Sequence, residues 1–411
     1  MKTENQNTQI NDQSEDSNDF PDNVVTKRRE QKQKQSPKKQ VKTNEEGEKP
    51  LNRDQVVKKY LEELKKQQSK EEMKKEKVVN VDKYKIGPPT VQKFFGEADL
   101  FDIPKKGHMS IWQWNINGLQ AVVRKNALQD FLKNYQPLIL CINELKTDFD
   151  KINQLQIHKQ LPKNYEQYWN CCSTKKGYAG TGLLTKIKPL KVTFGLGIEK
   201  HDTEGRIMTA EYDHFIVVNS YFPNTGFNFE RIDYRIDEWD EDVHDYIDHL
   251  RDTSKKPVIL AGDLNIGNTE LDIYHRPWAR NFRQGQHPKE YDSLQRLLDR
   301  GYIDAYRHLY PNIRGYSYWS SQRKAKEKDN GCRCDYFILN KEHFEMVIDS
   351  RMHRDVEGSD HVPIELEIDI QKLRGYSKSM KLKSKKKLSS NGKESSNVNN
   401  NKQSMKKQII A

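Results

Sequence analysis

Short polar clusters along this chain carry residue types suited to hydrolytic chemistry. They are Asn115 and Asn117, Glu144 with Lys146, Tyr221, Asp263 and Asn265, Asp335, and the adjacent Asp360 and His361. Carboxylates, amides and one histidine make an oxygen-rich donor set that suits Mg2+ or Mn2+ rather than zinc. Mg2+ keeps several waters and takes one or two carboxylates plus a substrate phosphate. Amide donors and a histidine can hold phosphoryl oxygens. The collection fits metal-assisted phosphodiester hydrolysis. Taken singly, each residue has a plainer reading: His361 as a packed histidine, Tyr221 as core, Asn117 as a turn. Their joint occurrence in order carries the chemistry.

Each cluster needs an element to aim it. Val258 to Gly262 follows Pro257 and runs into Asp263 and Asn265, a short buried strand with a polar C-terminal end. Two residues apart on extended chain, Asp263 and Asn265 are expected to point the same way. Ser110 to Asn115 alternates as a strand, and Leu138 to Ile142 is an apolar strand ended by Asn143 to Lys146. Further strands are expected at Gly182–Thr185, Ile207–Tyr212, His214–Tyr221, Cys334–Leu339 and Pro363–Ile370. Asn126–Asn134, Tyr234–Arg251 and Asp292–Arg300 read as helices. Strands outnumber helices, and helices fall between strand groups. That pattern predicts a two-sheet α/β sandwich rather than a doubly wound parallel sheet.

The chain of 411 residues is long enough for a sizeable core plus extensions. It carries 71 Lys+Arg against 60 Asp+Glu, a formal net charge of +11, but the excess is uneven. Residues 372–411 hold 12 Lys/Arg and one acid, Glu394, whereas residues 107–371 hold 35 basic and 39 acidic residues. A cationic tail on a near-neutral body suits a polyanionic partner such as nucleic acid. Residues 1–106 read as a low-complexity basic and polar extension, with a charged helix near 55–77. Residues 372–411 read as a Lys-rich disordered tail, leaving 107–371 as the catalytic domain. Lys27-Arg28-Arg29 and Pro37-Lys38-Lys39 lie in a basic run that reads as a nuclear address or a nucleic-acid arm. Five cysteines, with a vicinal pair and no C-x-x-C, argue against a disulfide framework or a structural zinc site. No apolar run opens the chain, so neither a signal peptide nor a membrane span is expected.

A set of motifs then stands in a familiar order. They are W-N-I-N-G-L (114–119), N-E-L-K (143–146), E-G-R (204–206), Y-F-P-N-T-G (221–226), G-D-L-N (262–265), R-H-L-Y-P (307–311), C-D-Y-F-I-L (334–339) and G-S-D-H-V-P-I (358–364). Over about 109–370 the chain resembles the exonuclease III family, the class II apurinic/apyrimidinic endonucleases of the endonuclease/exonuclease/phosphatase superfamily, closest to their animal-type branch. The resemblance implies a DNase I-like four-layer αββα sandwich of two mixed sheets. It implies a Mg2+-dependent (or Mn2+-dependent) enzyme acting 5′ of abasic sites in double-stranded DNA and trimming blocked 3′ ends. Base excision repair proteins become candidate partners. A monomer is expected, in the nucleus, with a mitochondrial address left open. By resemblance Glu144 is the main metal ligand, with Asn117 and Asp360 nearby and Asp263, Asn265 and His361 completing the donor set. Asp263 serves the attacking water, Asn265 the oxyanion, and His361 the phosphate with Asp335 behind it. Tyr221 lies near the leaving side. Asn115, Lys146, Arg206, Asn224, Tyr318, Cys332 and Cys334 fall at DNA-facing or site-supporting positions.

The chain also departs from that pattern. Asn117 stands where animal-type members have Asp, though bacterial members use Asn. Gln120 and Phe227 replace basic residues, Phe227 an Arg that enters the duplex. Cys332 and Cys334 stand where the animal branch has Trp and Leu, and Tyr318 where it has Phe. Two small thiols are expected to widen the pocket for a flipped sugar and weaken its exclusion of intact nucleotides. The alternatives are a nuclease or phosphodiesterase of broader specificity in the same superfamily, or a weakly catalytic DNA-binding paralogue.

Overall fold

The computed structural model describes residues 93–94, 100–274, 285–321 and 324–376. The expected helix near 55–77, the basic run and most of the Lys-rich tail lie outside the described residues. In chain order the strands are β1 (Lys93–Phe94), β2 (His108–Asn115), β3 (Ile139–Asn143), β4 (Glu166–Asn170), β5 (Thr181–Thr185), β6 (Lys191–Phe194), β7 (Ile207–Glu211), β8 (Ile216–Tyr221), β9 (Val258–Asp263), β10 (Tyr302–Asp304), β11 (Tyr318–Trp319), β12 (Gly331–Cys332), β13 (Asp335–Asn340), β14 (Val347–Met352) and β15 (Ile364–Asp369). One seven-stranded sheet runs β1-β4-β5-β3-β2-β15-β14 and one six-stranded sheet runs β10-β13-β9-β8-β7-β6. A two-stranded ribbon joins β11 to β12. The pairs β2–β3 and β8–β9 are parallel and the other ladders antiparallel, so both sheets are mixed. This is the two-sheet architecture the strand count predicted.

Alternation along the strands divides the core into layers. Ile111, Ile139, Cys141, Val217, Ile259, Ala261, Phe337 and Leu339 form one apolar cluster shared by the two sheets. Their neighbours on the same strands face outward. Trp112 and Trp114 of β2 pack with Leu128, Phe131 and Leu132 of the helix Ala127–Tyr135. Val258 and Leu260 of β9 pack with Val243 and Ile247 of the helix Glu241–Ser254 and Leu294 and Leu297 of the helix Pro288–Asp299. Both faces of β9 are covered, and so Val258 to Gly262 reads as an unbroken apolar run. The order is helix, sheet, sheet, helix.

Three details differ from expectation. The ordered body runs past the predicted limits of 107 and 371. Lys93–Phe94 adds an edge strand to β4, and Ile103 and Leu373 belong to the inter-sheet core. The expected helix Tyr234–Arg251 opens as a π-helix over Tyr234–Asp240 before the α-helix Glu241–Ser254. Several short strands, β6, β10, β11, β12 and β14, gave no period-2 signal of their own.

One glycine beside the site is required by packing. Gly262 faces Ser220 across the parallel β8–β9 pair, and a Cβ there would lie 1.8 Å from the Ser220 carbonyl oxygen. Backbone cannot yield as a flexible side chain does. Gly262→Ala is expected to lower stability by about 2–3 kcal/mol or more, read as a fall in the chemical-denaturation midpoint. An unchanged midpoint would show that β8 and β9 part there without cost.

Candidate active site

The inner face of the sandwich changes character at one end. On β2 the inner positions run Met109, Ile111, then Gln113 and Asn115; on β3 they run Ile139, Cys141, then Asn143. On β8 Val217 is followed by Asn219, on β9 Ile259 and Ala261 by Asp263, and on antiparallel β13 Asp335 precedes Phe337 and Leu339. Register brings these ends together, pairing Asn115 with Asn143, Tyr221 with Asp263, and Asp263 with Asp335. Buried amides and carboxylates must then satisfy one another. Gln113 Nε2 donates to Asn143 Oδ1 at 2.8 Å and to Asp335 Oδ1 at 2.9 Å. Asn143 Oδ1 also accepts the Asp263 backbone N–H at 2.9 Å, and Asn143 Nδ2 donates to Asn219 Oδ1 at 2.7 Å. Gln113, Asn143 and Asn219 were not singled out as site residues. Counting by two from the apolar inner positions would have found them.

Asp335 and His361 form a tight pair on this layer. Asp335 Oδ2 lies 2.8 Å from His361 Nδ1 and accepts Ser317 Oγ–H at 2.7 Å, while Trp114 Nε1 donates to the His361 carbonyl at 3.0 Å. Burial opposes the charged imidazolium, but the carboxylates of Asp335, Asp263 and Asp360 outweigh it and raise His361 to about 10. Asp263 is raised to about 7 by burial and by the Asp335 charge, against opposing contributions from His361 and its own hydrogen bonds. Its Oδ2 accepts Asn115 Nδ2–H at 2.9 Å and stands 3.9 Å from His361 Nε2. A raised carboxyl beside a raised imidazolium leaves one proton acceptor and one positive donor facing a common point near neutral pH.

A second group of oxygens stands on neighbouring turns. Lys146 Nζ lies 2.5 Å from Asn117 Oδ1 and 2.9 Å from Glu144 Oε1, so one cationic nitrogen bridges the two oxygens. That geometry fits a hard divalent cation, because both donors converge on one positively charged point. Tyr221 hydrogen-bonds Glu144, and its hydroxyl is held protonated by burial and by the charges of Glu144 and Asp263. Asn117, Glu144, Lys146 and Asn265 all have positive φ, between 46° and 61°. Such conformations cost on the order of 1 kcal/mol or more apiece and gather at functional sites. Ladder-like backbone bonds hold them, including Gly118 N–H to Glu144 O at 2.9 Å and Lys146 N–H to Ala179 O at 2.9 Å.

Several expected positions are corrected. Asp263 and Asn265 do not run parallel, because β9 ends at Asp263 and Asn265 turns left-handed at φ 53°. Asn265 Nδ2 donates to Phe222 O at 2.9 Å, and its Oδ1 accepts from Asn224 Nδ2 at 3.3 Å. Asn224 therefore steadies Asn265. Asn115 is wholly buried, with its amide engaged by Asp263 and the Asn117 N–H, and cannot touch DNA. Arg206 is also buried, and its donors go to Glu204, Tyr221 O and Tyr178 Oη, so it supports Tyr221 from beneath. Cys334 is buried with its sulfur 3.9 Å from His361 Nδ1, behind the histidine rather than on the outer wall. Half-buried Tyr318 and Cys332, paired across the ribbon, stand nearer the rim, the Tyr318 ring 4.7 Å from that of His361. Asp360 is half-buried, its Oδ1 3.3 Å from Ser359 Oγ.

Sequence reasoning also missed Arg235. This buried guanidinium donates to Pro223 O at 2.8 Å and Leu264 O at 2.9 Å, tying together the loops that carry Asn224 and Asn265. Asp240 accepts from its Nε at 2.5 Å.

A two-sheet sandwich with a carboxylate–imidazole pair and an oxygen-donor turn at one end of its inner layer has the make-up of a hydrolase acting on phosphate esters. Residues 112–361 match the Endonuclease/Exonuclease/phosphatase family, and the chain belongs to it. It is 41% identical over 263 residues to an exodeoxyribonuclease from Bacillus subtilis, covering 64% of this chain and 100% of that protein. It is 41% identical over 278 residues to a DNA-(apurinic or apyrimidinic site) endonuclease from Dictyostelium discoideum, covering 66% of this chain and 74% of that one. Its fold is similar to that of an AP endonuclease from Leishmania major, with a TM-score of 0.58 and 25% identity over 72% of this chain and 99% of that chain.

The His361 charge follows a definite sign. Its pKa is raised, so the imidazolium persists at neutral pH and is lost as pH rises through about 10. Asp335→Asn removes the largest charge favouring it. The NMR titration midpoint of the His361 ring is expected to fall by about one to three units. An unmoved midpoint would mean that Asp263 and Asp360 hold the charge.

Proposed function

We propose that this chain is a divalent-metal-dependent DNA-(apurinic or apyrimidinic site) endonuclease of base excision repair that uses Mg2+, with Mn2+ as a substitute. The observation that carries the reading is the facing pair, Asp263 Oδ2 and His361 Nε2 at 3.9 Å, beside the convergent oxygens of Asn117 and Glu144. Names of relatives support the same substrate class. Asn117 and Glu144 would hold the cation, with Asp360 nearby. When bound, the metal supplies Lewis-acid charge stabilisation at the phosphate. Asp263 takes a proton from water, and the water oxygen attacks phosphorus on the 5′ side of the abasic sugar. The bond to the upstream 3′ oxygen breaks, that oxygen takes up a proton from solvent to become a 3′-hydroxyl, and the phosphate stays on the 5′ side of the abasic sugar. His361 binds the phosphoryl oxygen as an imidazolium, held by Asp335. The amide of Asn265 donates to the developing oxyanion, and Tyr221 faces the leaving side.

A second reading, broader nuclease or 3′-phosphodiesterase action, is favoured by Phe227 and Cys332. Phe227 is 71% exposed on the loop after Asn224, and Cys332 leaves a small side chain at the rim. A third reading, a weakly catalytic DNA-binding paralogue, is opposed by the presence of Glu144, Asp263, Asn265, Asp335 and His361. The Thr26 to Lys42 run supports a nuclear address, checked by the position of a fluorescent fusion with and without Lys27 to Arg29.

Incision of duplex DNA with and without one tetrahydrofuran site, in Mg2+ or EDTA, decides among these. Metal-dependent cutting of only the modified strand is expected, and Glu144→Ala and His361→Ala should each lower kcat by at least about 10²-fold. Equal cutting of both duplexes would favour the broader nuclease. No metal-dependent cutting would leave only the binding reading.

A further inference from the structure

The two carbonyls that Arg235 holds stand at telling places. Pro223 O and Leu264 O belong to the planar peptide units whose N–H groups are those of Asn224 and Asn265. Fixing those planes fixes where both amide side chains begin. The Leu264–Asn265 unit is held at its other edge as well, its N–H donating to Asp263 Oδ1 at 2.8 Å. Asn265 Oδ1 accepts from Asn224 Nδ2, and Asn265 Nδ2 donates to Phe222 O. An amide nitrogen carries two N–H groups. With its oxygen and one N–H engaged by the two loops, Asn265 has a second N–H to give.

The helix that carries Arg235 is shaped for this task. Arg235 Nε lies 2.5 Å from Asp240 Oδ1, and Asp240 Oδ2 accepts Ser293 Oγ–H at 2.6 Å. Residues five apart stand about 140° apart around an α-helix and face different sides. The π-helix over Tyr234–Asp240 closes i→i+5 bonds and brings the pair onto one side. Asp240 holds the guanidinium by its Nε, so Nη1 and Nη2 point at the two carbonyls. The guanidinium carbon lies 4.8 Å from the centre of the Phe222 ring, which fixes the fork further.

We propose that Arg235 is a positioning residue for phosphodiester hydrolysis, acting through the side chain of Asn265. Buried beneath both loops, it does not reach the substrate. It holds an oxyanion donor in place before charge develops, so little reorganisation is needed during the reaction. Lysine cannot replace it, because one ammonium lacks the planar fork that meets a carboxylate and two carbonyls together. The catalytic part rests on the nuclease reading, whereas the orientation of Asn265 by Arg235 does not.

Arg235→Lys keeps the charge and loses the fork. In Mg2+-dependent incision of an abasic duplex it is expected to lower kcat about 10- to 100-fold and to leave KM within about twofold. Asn265→Ala should lower kcat by about 10²- to 10³-fold. Adding Arg235→Lys to Asn265→Ala should cost less than about threefold more, because no amide remains to be aimed. Without DNA or metal, the NMR signals of the Asn265 side-chain amide, assigned by their loss in Asn265→Ala, should shift in Arg235→Lys. An unchanged kcat overturns the proposal, as does a loss seen in KM alone. Losses that multiply in full in the double variant, or unmoved Asn265 amide signals, also overturn it. If Arg235→Lys does not melt cooperatively, Arg235→Met with Asp240→Asn takes its place in every arm, since that change leaves no unpaired buried charge. A wild-type chain that never incises in Mg2+ defeats the nuclease reading. The Asn265 signals then decide alone, a shift keeping Arg235 as the residue that orients this amide and its absence removing that role.

Discussion

A buried polar layer between the two sheets is the constraint on which the rest of this structure depends. Charged and amide groups removed from water cost free energy unless they are hydrogen-bonded. Asp335 meets that condition through Gln113, Ser317 and His361. Asp263 meets it through Asn115 and the Asn265 N–H. Asn143 binds the sheets to one another, accepting from Gln113 of its own sheet and from the Asp263 backbone of the other. The carboxylates keep one geometry because these bonds tie them both to buried strand residues, Gln113, Asn115 and Asn143, and to the loops that carry Ser317, His361 and Asn265.

The apolar half of the same interior supplies the rigidity. Ile111, Ile259, Ala261 and Phe337 interlock the sheets, so the polar residues further along the strands inherit fixed positions. At the strand ends the backbone turns into left-handed conformations at Asn117, Glu144 and Asn265. Packing against the sheet ends makes those conformations tolerable, and Arg235 adds a clamp between the Pro223 and Leu264 carbonyls. Strain is thus concentrated where side chains must converge, and the surrounding layers hold it in place.

Much of this was legible in the chain. Val258 to Asp263, Ser110 to Asn115 and Ile364 to Asp369 announce themselves by apolar runs or alternation, and each lies within a residue or two of its expected limits. Short edge strands such as β6 and β12 were not legible, since two to four residues carry too little periodicity. Arg206 misled for a different reason. A basic residue in a motif suggests a phosphate, yet burial and three partnered donors turn it into a support for Tyr221. Asn115 misled in the same way. Residue type conveys what a group can bind, and only burial says which side it faces.

The sequence by itself determined the residue types at the strand ends, their order, and the alternation that sends apolar residues to two sides of each strand. It therefore determined a two-sheet sandwich and a family. Tertiary structure alone decided which polar groups meet. Asn143 and Asp263 are 120 residues apart, Asp335 and Gln113 222 apart, and His361 and Trp114 247 apart. No local pattern encodes such pairings, because they arise from strand register across two sheets. The same register sets Cys334 behind His361 and leaves Cys332 near the rim, so two cysteines that look equivalent along the chain differ in burial and in chemistry.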